Sequence, residues 1–309
     1  MNIWWIRVVS QAGIYATFLL YLLWAARRGR GEWVPLIGAA IYAVLFEYGN
    51  MWRYANTPGG YHYHPHSWFL ILGEVPLYIP LAWGFILATS RRLTDHLPLR
   101  PWARPCSDAL LALLIDLSLD AVAIRHEFWY WHGVSLTEGF FGVPADNFLG
   151  WLLVSYTFSL LSRALWDGER AEQGNARLKI ATQWFALPII AYLLYLGIEA
   201  VVHLFYALFD AQTQRQQLGV FAGVMGIFLL LVAMGWRRYS PAESLPARAD
   251  TLDRIMLHTP RHVFHLFGVI ALCWLPSVER SPALWILAGT VWTLEILIAC
   301  RAHSRASRA

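Results

Sequence analysis

Nine apolar runs of bilayer-spanning length constrain this chain more than any other feature. They fall at about 5–25, 33–52, 68–90, 105–125, 147–166, 182–209, 217–236, 261–277 and 281–300. About 17 to 25 apolar residues cross a hydrocarbon core as a helix, and in lipid only helices and closed barrels satisfy every backbone polar group. Composition agrees: 58% of the residues are hydrophobic and 14% charged, where soluble domains carry about 25% charged residues. The expected fold is all-α, a polytopic membrane bundle of about nine helices forming one transmembrane domain over residues 1–309. Pro76, Pro80 and Pro188 lie inside runs, where they should kink helices. The first run is followed by Arg27, Arg28 and Arg30 rather than a small-residue cleavage site, so it reads as a retained anchor. No internal repeat is visible.

The net charge of +4 with a pI near 9.0 does not point to nucleic acid, because the basic residues sit in short loops between runs. If the loops after runs one, three, five and seven share a side with the tail, that side holds nineteen of the 24 basic residues. Arg7, Arg53, Arg125, Arg215 and Arg280 remain on the other. The positive-inside rule then puts the N-terminus outside and the C-terminus in the cytoplasm, with the chain in a bacterial cytoplasmic membrane. Cys106, Cys273 and Cys300 form no paired pattern, which argues against a disulfide framework or a zinc ribbon.

This topology sorts the polar residues. Glu47, Glu74, Asp116, Asp120, Asn147, Glu199 and His203 all fall towards the outer ends of their runs, while Glu295 stands apart near the inner end of the last. A charged side chain at mid-membrane costs about 2.5–3.5 kcal/mol. Five unpaired carboxylates would thus cost roughly 10–15 kcal/mol, to be offset by pairing, protonation or a wet cavity. Convergence on one leaflet predicts a single cavity. Asp116 and Asp120 are one helical turn apart and share a face, as do Glu199 and His203. Two carboxyls this close in apolar surroundings do not both ionise, and a neutral acid beside a carboxylate is a general acid–base pair. The alternative is helix-packing hydrogen bonds, or ion pairs with Arg125 or Arg163. Trp129, Tyr130, Trp131 and Trp151 stand where an interfacial aromatic belt is expected, and they equally suit a cavity wall whose π faces stabilise a cation.

Two histidine clusters invite a metal reading: His62, His64 and His66 in one loop, and His258, His262 and His265 in another. The topology puts them on opposite faces, so no metal site is expected from them. GxGxxG, Walker A, GxSxG and HExxH motifs are absent.

The order of Glu47, the loop "GGYHYH", then "GEVPLYIPLAW", "DLSLDAVA", "FWYWHG" and "FFGVPADNFLGW" resembles the bacterial and archaeal carotenoid biosynthesis proteins. The resemblance covers about 40–165, and residues 166–309 match only as hydrophobic helices. That family includes carotenoid hydratases, which add water to the end groups of acyclic carotenoids. The resemblance implies a membrane hydratase without metal, nucleotide or redox cofactor, acting on a carotenoid or other isoprenoid lipid. Asp116 or Asp120 would protonate the double bond, Glu47 or Glu74 would hold the attacking water, and Trp129, Trp131 and Trp151 would face the cation. Asn147, Glu199 and His203 would complete the substrate cavity. Its rivals are a proton-coupled transporter or lipid-binding membrane protein, and a histidine-ligated di-iron hydroxylase.

Overall fold

The computed structural model describes residues 3–55, 57–64, 69–167, 175–236, 251–276 and 281–306. His66, Arg170, Arg237, Arg238, Arg248, Arg280 and Arg308 lie outside the described residues, as do the side chains of Arg254, His258 and Arg305. The helices are α1 (Ile3–Arg28), α2 (Arg30–Tyr54), α3 (Tyr78–Asp95), α4 (Arg104–Ala123), α5 (Ala145–Trp166), α6 (Ala176–Ala181), α7 (Leu187–Leu208), α8 (Gln214–Gly235), α9 (Thr251–Trp274) and α10 (Pro282–Ala306). A π-helical turn, Thr182–Ala186, joins α6 and α7 into one rod. Among the described residues, nine long rods stand where nine apolar runs are expected, and the protein is an all-α membrane bundle.

Six of these rods are long and apolar enough to cross a membrane by composition alone: α1, α2, α5, α6–α7, α8 and α10. The other three, α3, α4 and α9, carry much of the polar chemistry. Their polar groups point inward, as lipid requires. Helix α4 is the centre of the bundle, packed against α3, α5, α8, α9 and α10. It buries Asp108, Asp116 and Asp120 along with its apolar face. Helices α7 and α8 instead expose Ile189, Leu193, Leu204, Ile227 and Leu230, the side chains of a lipid-facing surface.

Arginines tie one end of the bundle together. Arg92 meets Glu32 at 2.6 Å, Arg28 meets Asp253 at 3.2 Å and Arg91 meets Asp167 at 2.7 Å. The C-terminal ends of α1, α3 and α5 therefore lie with the N-terminal ends of α2 and α9, as in an up-and-down bundle. The ion pairs anticipated for the central aspartates are not made. Arg163 is held by Asp95 and Asp108, each at 2.6 Å, and Arg125 donates to the carbonyls of Ala121 and Phe141.

The run at 68–90 is not helical throughout. Helix α3 begins only at Tyr78, and the preceding residues form a hairpin whose arms are two of four short strands: β1 (Tyr61–Tyr63), β2 (Ile71–Leu72), β3 (Val75–Pro76) and β4 (Trp129–Trp131). Gly73, at φ +59°, makes the turn between β2 and β3, a conformation glycine adopts without a Cβ penalty. Pro76 thus sits in a strand and kinks nothing. Pro80 lies in the first turn of α3, where no intrahelical partner awaits its missing N–H. Pro188 follows the π turn directly, so the irregular ladder coincides with the bond it cannot make. Helix α9 begins at Thr251 rather than near 261, because Asp253 turns inward to accept the Trp24 indole N–H at 3.0 Å.

Strands β1 and β4 pair antiparallel, with Tyr61 opposite Trp131 and Tyr63 opposite Trp129. They join the loop after α2 to the loop after α4 and roof the end of the bundle opposite the arginine ties.

Candidate functional site

Beneath that roof lies a cleft of about 890 Å³ including its open mouth. Helical and strand periodicity decide which residues reach it. Helix α2 supplies Phe46, Glu47, Asn50 and Tyr54, and α3 supplies Ile79 and Trp83. Asp120 comes from α4, and Asn147, Gly150, Trp151 and Val154 form one face of α5. Tyr195 and Glu199 come from α7, one turn apart. Residues alternate across a strand, so Tyr61 and Tyr63 face inward from β1, as Trp129 and Trp131 do from β4.

One amide holds the two aspartates. Asn147 Nδ2 donates to both oxygens of Asp116, each at 3.2 Å, and to Oδ2 of Asp120 at 2.8 Å. Both carboxyls are almost wholly removed from solvent, at 0% and 2% exposure, and neither forms an ion pair among the described residues. A single NH₂ group cannot satisfy two carboxylates, so a proton shared within the pair is the economical charge state. Asp116 lies a turn deeper than Asp120. Asp120 lines the cleft, and its Oδ1 has no hydrogen-bond partner among the described residues.

Glu47 is served differently. Tyr61 and Tyr63 donate their hydroxyls to its Oε2 at 2.5 and 2.8 Å, and the Trp83 indole donates to its Oε1 at 3.0 Å. An indole N–H can only donate, so Oε1 is fixed as an acceptor. Three neutral donors thus converge on one buried carboxyl, which makes no ion pair among the described residues.

Aromatic rings fill the wall between these acids. Trp83 and Trp151 pack with centroids 4.0 Å apart, Phe46 meets Trp83 edge-on at 4.9 Å, and Tyr61 meets Trp131 at 5.1 Å. Trp129, Trp131 and Trp151 are thus cavity wall, while Tyr130 points out and is 48% exposed. Towards the mouth, Arg53 Nη1 meets Glu199 Oε2 at 2.6 Å, Tyr195 bonds Glu199 Oε1, and Tyr206 donates to Asp146 Oδ1 at 2.8 Å.

Of the residues singled out in the sequence, Glu47, Asp120, Trp129, Trp131, Asn147, Trp151 and Glu199 share the cleft, with Asp116 behind them. Glu74 does not join. It sits exposed in the β2–β3 turn, where its backbone N–H donates to the Tyr48 hydroxyl oxygen at 3.2 Å. The apolar run before it mimicked a helix that would have carried it inward. His203 is half-buried beside Tyr206, ring centroids 5.4 Å apart, and does not line the cleft. The residues sequence reasoning missed are Asn50, Tyr61, Tyr63, Trp83, Asp146 and Tyr195. The Tyr-His-Tyr alternation was the available signal for the first two tyrosines, since period two is a strand's signature.

The histidine clusters stay apart. His62 lies against Tyr130 and His132 at the roof, while His262 takes the Trp292 indole and His265 stands 3.9 Å from Glu295. No group of three or more metal-ligating side chains comes together among the described residues.

Fold and site together define an integral membrane protein with an acid-bearing, aromatic-walled cleft of the kind that receives a largely apolar molecule. A family model described as carotenoid biosynthesis protein matches residues 9–235. The match runs from α1 to the end of α8, includes every residue of the cleft, and reaches beyond 40–165 on both sides. The chain belongs to this family, and its role lies in carotenoid biosynthesis. No curated protein and no solved structure matches the chain.

Proposed function

We propose that this protein is a membrane-embedded hydratase adding water to the terminal C=C of an acyclic or monocyclic carotenoid. One observation carries the reading: a carboxyl pair held by a single amide, with no ion pair among the described residues, opens through Asp120 onto an aromatic cleft. Hydrating a trisubstituted alkene needs an acid, tolerance for a tertiary carbocation, and one water.

In this reading Asp120 gives its proton to the less substituted alkene carbon, and the pair with Asp116 takes up the negative charge. The cation forms on the dimethyl-bearing carbon, faced by Trp83, Trp129, Trp131 and Trp151 and by the Glu47 carboxylate. Water attacks that carbon and loses its second proton to Glu47. Return of this proton to Asp120 completes a net addition of H₂O. Glu74 has no part, since it is exposed outside the cleft.

We read residues 1–309 as one transmembrane unit in a bacterial cytoplasmic membrane, with the cleft towards the outside. Reporter fusions should report 126–146 outside and the loops at 167–181 and 237–260 in the cytoplasm. Against a transporter, the buried ion pairs Arg163–Asp108 and Arg261–Glu295 tie helices together at the end of the bundle away from the cleft.

The test is expression in cells that accumulate lycopene, with pigments analysed by mass. The expected product gains one or two waters, keeps its polyene absorption, and takes its oxygen from labelled water. Oxygen from O₂ would point to a hydroxylase. No product, together with full activity of Asp116→Asn and Asp120→Asn in the native host, would put the transporter ahead.

A further inference from the structure

The face of α5 that lines the cleft carries Asn147, Trp151 and Val154, and between them stands Gly150. Three other helical glycines are explained by close packing. A Cβ at Gly38 would run into Gln183, one at Gly49 into Tyr192, and one at Gly84 into Leu36. A Cβ at Gly150 meets nothing within 4 Å. On α8, Gly219, Gly223 and Gly226 also meet nothing but are exposed on a lipid-facing helix, while Gly13 and Gly268, which meet nothing either, lie away from this cleft. Gly150 is half-buried and faces the cleft. Bare backbone therefore forms part of the wall, one turn from the amide that holds the acid pair, about 4.5 Å along the helix axis.

We propose that Gly150 is the specificity-determining residue of this cleft, leaving room for an isoprenoid end group with two methyls on its reacting carbon. The inference rests on the hydratase reading for its chemistry, but not for its geometry. A planar alkene carbon that gains a hydroxyl becomes tetrahedral and moves a substituent out of plane. The open space beside Gly150 belongs to the cleft that Asn147 and Trp151 also line, and it offers room for that displaced methyl. Asp120 Oδ1, buried and without a partner among the described residues, opens onto the same cleft. A side chain at position 150 would occupy the space of the substrate rather than that of the protein.

The experiment is a graded series, Gly150→Ala, Gly150→Val and Gly150→Phe, in full-length protein reconstituted into nanodiscs. Lycopene binding is read by quenching of tryptophan fluorescence, since its polyene accepts energy from Trp83 and Trp151 when seated. Melting temperature and conversion of lycopene are measured alongside. The expected result is a melting temperature unchanged or raised across the series. Lycopene affinity should fall in step with side-chain volume, at least tenfold for Gly150→Phe. Adding Val154→Ala to Gly150→Val should restore much of the loss, which a purely structural glycine would not show. Gly150→Phe within twofold of wild type in both affinity and conversion overturns the proposal. So does a loss of affinity that merely tracks a falling melting temperature. Wild-type protein that binds lycopene in this glycine-dependent way, yet never yields a water adduct, keeps the specificity role and sinks the hydratase reading alone.

Discussion

The two halves of the bundle bury carboxylates at similar depth and treat them in opposite ways. In the half that the proposed orientation makes inner, Asp108 and Glu295 each have an arginine. Asp108 is 1% exposed and bonds Arg163 through both oxygens, and Glu295, also 1% exposed, grips Arg261, which further donates to Ser90 and to the Leu111 carbonyl. In the half that it makes outer, Asp116, Asp120 and Glu47 are also buried, yet among the described residues they receive only an amide, two phenols and an indole. Matched charges hold helices together. Carboxyls with neutral donors keep the freedom to exchange protons, and that is the property an acid catalyst requires.

The sharpest way to break this contrast is to neutralise one acid on the outer side. Asp120→Asn preserves shape and removes the proposed proton donor, so lycopene turnover should fall about 10²–10⁴-fold. Expression and melting temperature should hold or rise. Unchanged turnover would make the aspartate pair a packing feature like its inner counterparts.

The inner side should respond in reverse. Arg261→Met strands Glu295 and should cost about 3–5 kcal/mol of stability, read as a large drop in melting temperature, with turnover per folded molecule preserved. Replacing Glu295 by Leu as well should recover most of the loss, since an apolar pair of similar volume is about neutral. A double variant as unstable as the single would show that the cluster does more than staple α9 to α10.

Arg53 and Glu199 test the intermediate case, an ion pair at the mouth of the outer cleft with the Arg53 side chain 32% exposed. Arg53→Gln should shift stability by under about 1 kcal/mol and change turnover by less than tenfold. A catalytic collapse on the scale of Asp120→Asn would move the acid chemistry to the mouth.

How legible this was in the sequence follows from which signals are local. Nine helices were readable because span length and hydropathy are properties of single segments. The pairing of Asp116, Asp120 and Asn147 was readable because two of the three share a helix face and the third opens the next helix. The stretch 69–77 misled, since four consecutive apolar residues look alike in a helix and a hairpin, and only Gly73 and Pro76 distinguish them. Glu74 was misplaced with it. The donors to Glu47 were hidden for another reason. Tyr61, Tyr63 and Trp83 reach it only because a strand folds back over α2 and because α3 starts late. The Tyr-His-Tyr alternation marks a strand, but nothing in their own neighbourhoods names Glu47 as the acceptor. Asp146 stood beside Asn147 unremarked, because its role depends on Tyr206, far along the chain.

The ribbon of β1 and β4 has a consequence for biosynthesis. Tyr61 and Tyr63 leave the ribosome right after α2, but their partners Trp129 and Trp131 follow only once α3 and α4 have been translated. Until then β1 has no partner strand to hold its two tyrosines over Glu47, although all three donors to that carboxyl are in the chain once α3 is made. A chain halted before Trp131 would carry the donors of Glu47 without the strand pairing that fixes two of them, so closure of the chamber over α2 waits for α4 and the loop after it.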